Sequence, residues 1–237
     1  MKNVIVVGAS SGIGRALALD LARRGWRVGV AARRTDLLAE LAAAHPNVVS
    51  ARTVDVTAPD APAALEALAL AMGGANAFVL SSGVGEANRA LLLETELDTL
   101  AVNVTGFVAA ANAALHHLEA RGGGTLVGLS SVAGVRPSGG AVMYAASKNF
   151  VSNYMGGLRM RARRKRSGVK VLDVRPGFVR TDMMKAPSPF WVSEPERAAR
   201  QIADAMEAGR NGTLYVTKRW RLVAWALRLV PERFLPT

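Results

Sequence analysis

Val4-Ile-Val-Val-Gly8-Ala-Ser-Ser-Gly12-Ile-Gly14 runs from a short β-branched stretch straight into a glycine-rich turn, and an amphipathic segment over residues 13–24 follows. A strand, a Gly-x-x-x-Gly-x-Gly turn and a helix in that order open a nucleotide-binding α/β sheet. Gly8 permits the sharp turn after the strand, Gly12 lets the backbone approach a pyrophosphate, and Gly14 lets the helix pack closely. Amides of a helix beginning near Gly12 then face the phosphates, and Ser10, Ser11 and Ile13 join the glycines as cofactor-binding residues.

Similar runs recur at residues 28–32, 54–56, 78–81, 125–130, 169–174 and 214–216, separated by longer Ala/Leu-rich stretches. This alternation predicts βαβ units and an α/β fold: a Rossmann-type, doubly wound, parallel seven-stranded sheet in a single domain. Right-handed crossovers place helices on both faces. Helices are expected after Gly12, Asp36, Pro62, Thr95, Ser147 and Glu194. There is no internal repeat and no Pro/Ser-rich linker, so residues 1–217 read as one NAD(P)-binding domain and 218–237 as its basic amphipathic tail.

The 237 residues suffice for a sizeable core, and half are apolar, which suits helices covering a buried parallel sheet. The absence of Cys excludes disulfides, thiolate catalysis and Cys-bound metal. His45, His116 and His117 lack metal-ligand spacing, so no metal is expected and the chemistry must rest on oxygen and nitrogen groups. The run at residues 4–7 enters the glycine turn rather than a cleavage site, which reads as a strand of a cytoplasmic protein and not as a signal peptide.

The formal charge of +12 is concentrated in Arg159-Met-Arg-Ala-Arg-Arg-Lys-Arg166 and between Lys218 and Arg233. It favours anionic partners such as cofactor phosphates, acidic lipid or a phosphorylated substrate. No nucleic-acid recognition motif accompanies these runs, and no nucleic acid is expected. Wound as a helix, residues 218–231 put Lys218, Arg221 and Arg228 on one stripe, with Trp220, Val223, Leu227 and Val230 largely away from it. The segment is too short and too charged to span a bilayer. It packs on its own domain or a partner subunit, or else lies in a membrane surface and makes the protein peripheral there.

Two further stretches define a reaction. The second strand ends in Ala31-Ala32-Arg33-Arg34, where an NAD-specific fold places a carboxylate on the ribose hydroxyls. Two guanidinium groups there match a phosphate, so NADP(H) is favoured over NAD(H). In Tyr144-Ala-Ala-Ser-Lys148 a phenol and an ammonium four residues apart share one helix face. Hydride reaching a carbonyl carbon leaves charge on oxygen, and Tyr144 supplies the proton if Lys148 lowers its pKa from about 10 towards neutrality.

At these residues the chain resembles the short-chain dehydrogenase/reductase family in its single-domain form, from Met1 to about Val216. The family's loop matches Gly8, Gly12 and Gly14, and its adenine-binding acidic position matches Asp55, followed by Val56. Its helical Asn matches Asn103 in Asn103-Val-Thr-Gly106, and its catalytic serine matches Ser131 in Ser130-Ser131-Val-Ala-Gly134. Its proton donor and lysine match Tyr144 and Lys148, and its Pro-Gly turn matches Pro176-Gly177, with Val179 and Thr181 at nicotinamide-contacting positions. The resemblance implies that Ser131 hydrogen-bonds the carbonyl oxygen, that Lys148 also holds the nicotinamide ribose, and that Asn103 holds a water linking Lys148 to solvent. It also implies a homodimer or homotetramer through the helix from residue 147 to about 165 and the helix carrying Asn103.

Two departures stand out. Ser81-Ser-Gly-Val84 replaces the family's Asn-Asn-Ala-Gly, and the stretch between Thr181 and Glu194 is short for a substrate-covering lid. A small lid implies an open site, with Met183, Met184, Phe190 and Trp191 as an apolar entrance. The leading reading is an NADPH-dependent oxidoreductase that reduces a ketone or aldehyde on an apolar molecule, or oxidises the corresponding alcohol, by hydride transfer. Alternatives are a membrane-associated reductase of a lipid-linked keto-sugar, supported by the tail, and a nonenzymatic NADP-binding sensor, opposed by the presence of Tyr144 and Lys148.

Overall fold

β1 (Asn3–Val7) is wholly buried and pairs in parallel with both β2 (Arg27–Ala32) and β4 (Ala77–Leu80) in a computed structural model that describes residues 1–184 and 189–231. Adding β3 (Val48–Thr53), β5 (Gly124–Leu129), β6 (Val169–Pro176) and β7 (Gly212–Val216) gives one all-parallel sheet of order β3-β2-β1-β4-β5-β6-β7. The central strands are apolar on both sides because helices cover both faces.

One face carries α1 (Gly12–Arg23), α2 (Thr35–Ala43) and, from far along the chain, α7 (Pro195–Glu207). The other carries α3 (Ala61–Ala71), α5 (Phe107–Ala120) and α6 (Val142–Lys165). Leu17, Leu21 and Ile202 fill the first layer, and Leu65, Phe78, Leu118 and Met155 the second. α4 (Leu93–Leu100) runs into α5 through one π-helical turn, Ala101–Gly106. The joined helix, Leu93–Ala120, is long and apolar enough to cross a membrane by length and composition. Phe107, Ala111, Ala114 and Leu118 are nevertheless buried in the second layer of the core. α8 (Trp220–Leu229) closes the described chain against a small third cluster around Val132.

Two local expectations are corrected. The third strand lies at Val48–Thr53 and not at residues 54–56. As an edge strand with one neighbour it tolerates the polar sequence Val-Val-Ser-Ala-Arg-Thr, whereas Val54 and Val56 are buried in the loop beyond it. α6 begins at Val142, before Ser147, because the breaker Gly139-Gly140 sits earlier than the expected start. The apolar stripe Trp220, Val223 and Leu227 is turned into the domain, and a second apolar stripe on α8 faces outward. The tail expected over residues 218–237 extends past this helix, and 232–237 lie outside the described residues.

Candidate active site

The sheet reverses its winding between β1 and β4, and a cleft of about 970 Å³ opens there at the carboxyl ends of the strands. All the sequence-derived site residues line it except Gly12 and Asn103. The glycine loop is built for close approach. Gly8 has φ +83°, and a Cβ there would come within 2.7 Å of Ser82 Cα. A Cβ on Gly14 would overlap the Gly8 carbonyl and the Ser81 hydroxyl. Ser81 Oγ donates to Val7 O at 2.8 Å, so the serine that replaces the family's Asn still ties β4 to the end of β1. A dinucleotide fits a cleft of this size, and a backbone so bare of side chains lets its phosphates reach the amides.

Beyond the loop, Arg34 lies back over it. Its Nη2 donates to Ser10 Oγ at 2.9 Å and Ser11 Oγ at 2.6 Å, fixing a guanidinium at the end of β2. Asp55 accepts from Thr57 N at 2.9 Å and Thr57 Oγ1 at 2.8 Å. The Thr57 amide is the main cause that holds this carboxyl below its ordinary range, and the nearby Arg33 charge adds to it.

Tyr144 stands in the first turn of α6, on the wall of the same cleft as Ser131. Ser131 caps the 3-10 turn Val132–Val135 by accepting from Ala133 N at 3.1 Å. Its neighbour Ser130 turns the other way, donating to buried Asp173 and, at 3.1 Å, to Val174 O. The serine facing the phenol is therefore Ser131. Lys148, one turn along α6, is buried, with Nζ donating to Leu129 O at 3.2 Å and lying 5.8 Å from the Tyr144 ring centroid. Burial pushes Lys148 down to about 8, opposed by the Asp173 charge. Tyr144 differs from expectation: burial holds its phenol above the ordinary value, with the Ser131 hydroxyl pulling it down. Desolvation of a phenolate outweighs that pull, so the phenol here keeps its proton.

Asn103 sits in the π-helical turn, a local irregularity common at functional sites. Its Oδ1 accepts from Val84 N at 2.8 Å, and its Nδ2 donates to Val84 O at 2.7 Å and Ser147 Oγ at 3.0 Å. Ser147 Oγ in turn donates to Tyr144 O at 2.8 Å. Asn103 thus ties the loop after β4 to the first turn of α6. Gly83 lies between the two groups, for a Cβ there would be 3.2 Å from Lys148 Nζ and 3.3 Å from Asn103 Oδ1.

Sequence reasoning missed three contributors. Asp173, 1% exposed on β6, holds Ser130 and receives Arg175 Nε at 2.7 Å, which places a buried carboxylate behind Lys148. A charge in the middle of an apolar strand pattern was its available signal. Arg136 lines the cleft and donates to Val230 O at 2.6 Å. Trp220, Val223 and Leu227 of α8 form a wall of the same cleft.

The family model described as short chain dehydrogenase matches residues 2–189, and the chain belongs to that family. Among curated proteins it is 41% identical over 201 residues to an uncharacterized oxidoreductase of Myxococcus xanthus, covering 80% of this chain and 78% of the other. It is 32% identical over 187 residues to a human 3-oxoacyl-[acyl-carrier-protein] reductase, covering 78% of each. Among solved structures, an actinorhodin polyketide ketoreductase with NADPH superposes with a TM-score of 0.78 at 26% identity, covering 91% of this chain and 95% of that one. A short-chain dehydrogenase from Streptomyces avermitilis gives 0.82 at 26% identity, covering 95% and 92%. The chain is an oxidoreductase of this family, acting on CH–OH or C=O groups with a nicotinamide cofactor.

Proposed function

We propose that the protein is an NADPH-dependent reductase of ketones or aldehydes on apolar molecules, running in reverse as an alcohol dehydrogenase. The observation that carries the reading is that Ser131, Tyr144 and Lys148 line the same cleft as the glycine loop, with Lys148 Nζ 5.8 Å from the phenol ring centroid. When bound in this cleft, NADPH would supply the hydride that the carbonyl carbon receives. The amides around Ser10–Gly14 would hold its pyrophosphate, Arg33 and Arg34 its extra phosphate, and Asp55 with Val56 its adenine. Pro176, Gly177, Val179 and Thr181 would flank the nicotinamide.

The remaining steps belong to the chain. Ser131 and Tyr144 hydrogen-bond the carbonyl oxygen, stabilising charge as it develops, and Tyr144 gives up the phenolic proton. Lys148, charged below about pH 8, attracts the resulting phenolate and makes that transfer easier. Asn103 keeps α6 and the β4 loop in register, so both hydroxyls stay on one point. Val223, Leu227 and Phe190 around the cleft favour an apolar body behind the carbonyl.

The human reductase and the polyketide ketoreductase bear names of carbonyl-reducing enzymes, which supports this direction. A lipid-linked keto-sugar is the second reading, favoured by Arg89 and Arg136 on the cleft wall, where an anionic group on the substrate would find a partner. Exposed Leu93 and Leu97 on α4 and Met160 on α6 support a homodimer or homotetramer through these helices. The test is NADPH oxidation against a panel of ketones, with Tyr144→Phe alongside. Turnover of none of them, or turnover undiminished in the variant, overturns the reading.

A further inference from the structure

α8 has two apolar faces. Trp220, Val223 and Leu227 point inward and line the cleft, while Leu222, Trp225 and Leu229 point outward and are 69%, 64% and 65% exposed. The outward three follow at i, i+3 and i+7, a continuous stripe along the helix. Arg221 and Arg228 flank it on one side and Arg219 on the other, with Lys218 just before the helix, all exposed. No Asp or Glu occurs between Lys218 and Pro231. The stripe does not stand alone. Arg219 stacks on the Trp191 ring at 5.0 Å and bonds its carbonyl at 3.0 Å, and half-exposed Phe190 and Trp191 continue the apolar surface to the cleft.

We propose that this face of α8 lies in an anionic membrane surface, and that the cleft takes its carbonyl substrate from that surface. The second half rests on the reductase reading; the first does not. Charge decides the occupant. A second copy seated on the same face through a two-fold axis would set four cations against four cations. Anionic headgroups complement them, while Leu222, Trp225 and Leu229 reach the acyl boundary and the tryptophans suit the interfacial layer. Because the opposite face of the same helix walls the cleft, a molecule dissolved in the bilayer has only the width of α8 and the Phe190–Trp191 rim to cross. A lipid-partitioned ketone or aldehyde is the substrate class this arrangement serves.

The test uses the full chain with phosphatidylcholine vesicles, with and without about a third phosphatidylglycerol. Sedimentation should show binding to the anionic vesicles only. Arg221→Gln/Arg228→Gln should weaken it about 30-fold, from about 1 kcal/mol per cation near the surface. Leu222→Ser/Trp225→Ser/Leu229→Ser should weaken it at least about tenfold. Both variants should keep wild-type NADPH affinity and turnover of a water-soluble ketone, yet lose turnover of a long-chain ketone delivered in vesicles. A wild-type chain that ignores anionic vesicles while reducing soluble ketones overturns the membrane proposal and leaves the reductase reading standing. Vesicle binding without reduction of any ketone supports the docking face and overturns the reading of its substrate. Loss of a sedimenting dimer in the triple variant, with no vesicle binding by the wild type, assigns the face to a second copy and overturns the proposal.

Discussion

Trp220 occupies the space that a side chain at Gly177 would need: a Cβ built on Gly177 overlaps the indole. The Pro-Gly turn after β6 and the first residue of α8 are therefore one packing unit, and Phe178 joins it edge-on at 5.5 Å. Gly177→Ala should cost about 1–3 kcal/mol of stability by overpacking. Urea unfolding of Gly177→Ala, Trp220→Ala and the double variant should give strongly non-additive costs, because the small indole replacement relieves the clash. Additive costs would show that the two residues do not share this space.

Tyr144→Phe removes one hydroxyl and little volume. Reduction should fall by about 10²–10⁴-fold, the usual range for a positioned acid, while NADPH affinity by fluorescence titration stays within a few-fold. Parallel losses in binding would instead mark a collapsed cleft.

Lys148 gives a pH dependence with a definite sign. Its folded value, about 8, lies below its unfolded value, 10.5, so the unfolded chain binds more protons in that window and stability rises with pH through it. Below pH 8 the buried ammonium costs on the order of 3 kcal/mol. Lys148→Met should therefore be more stable than wild type at pH 7, with the difference shrinking between pH 8 and 10.5 in urea titrations. Its reductase activity should be lost across the range.

Arg34 tests cofactor choice. Its bonds to Ser10 and Ser11 place the guanidinium beside the glycine loop. Arg34→Ala should weaken NADPH by about 10–100-fold, from about 1.5–3 kcal/mol for hydrogen bonds to a charged group, and leave NADH nearly unchanged. Equal losses for both cofactors in titration would place the extra phosphate elsewhere.

The parallel sheet was legible in the sequence because its inner strands are buried on both faces and read as uninterrupted apolar runs. β3 was not, since an edge strand with a solvated side carries Ser50 and Arg52 and lacks that signal. The glycine loop was legible because bare backbone can be supplied only by glycine, as the overlaps at Gly8 and Gly14 demonstrate. Asp173 and the α8 wall were not. Their places depend on strand register and on a helix returning over the cleft, neither of which spacing along the chain encodes. The tail shows the limit of a helical wheel, which sorts residues into faces but cannot say which face the protein keeps for itself.

The π-helical turn at Ala101–Gly106 has a consequence for the rod it interrupts. An extra residue wound into one turn rotates the α4 end of the rod by about 100° relative to the α5 end. Phe107, Ala111 and Leu118 therefore look at the sheet while Leu93 and Leu97, on the same rod, look outward. Shortening that turn by one residue would move Asn103 off Val84 and re-aim the leucines together, so one turn sets both the loop after β4 and the outward face of α4.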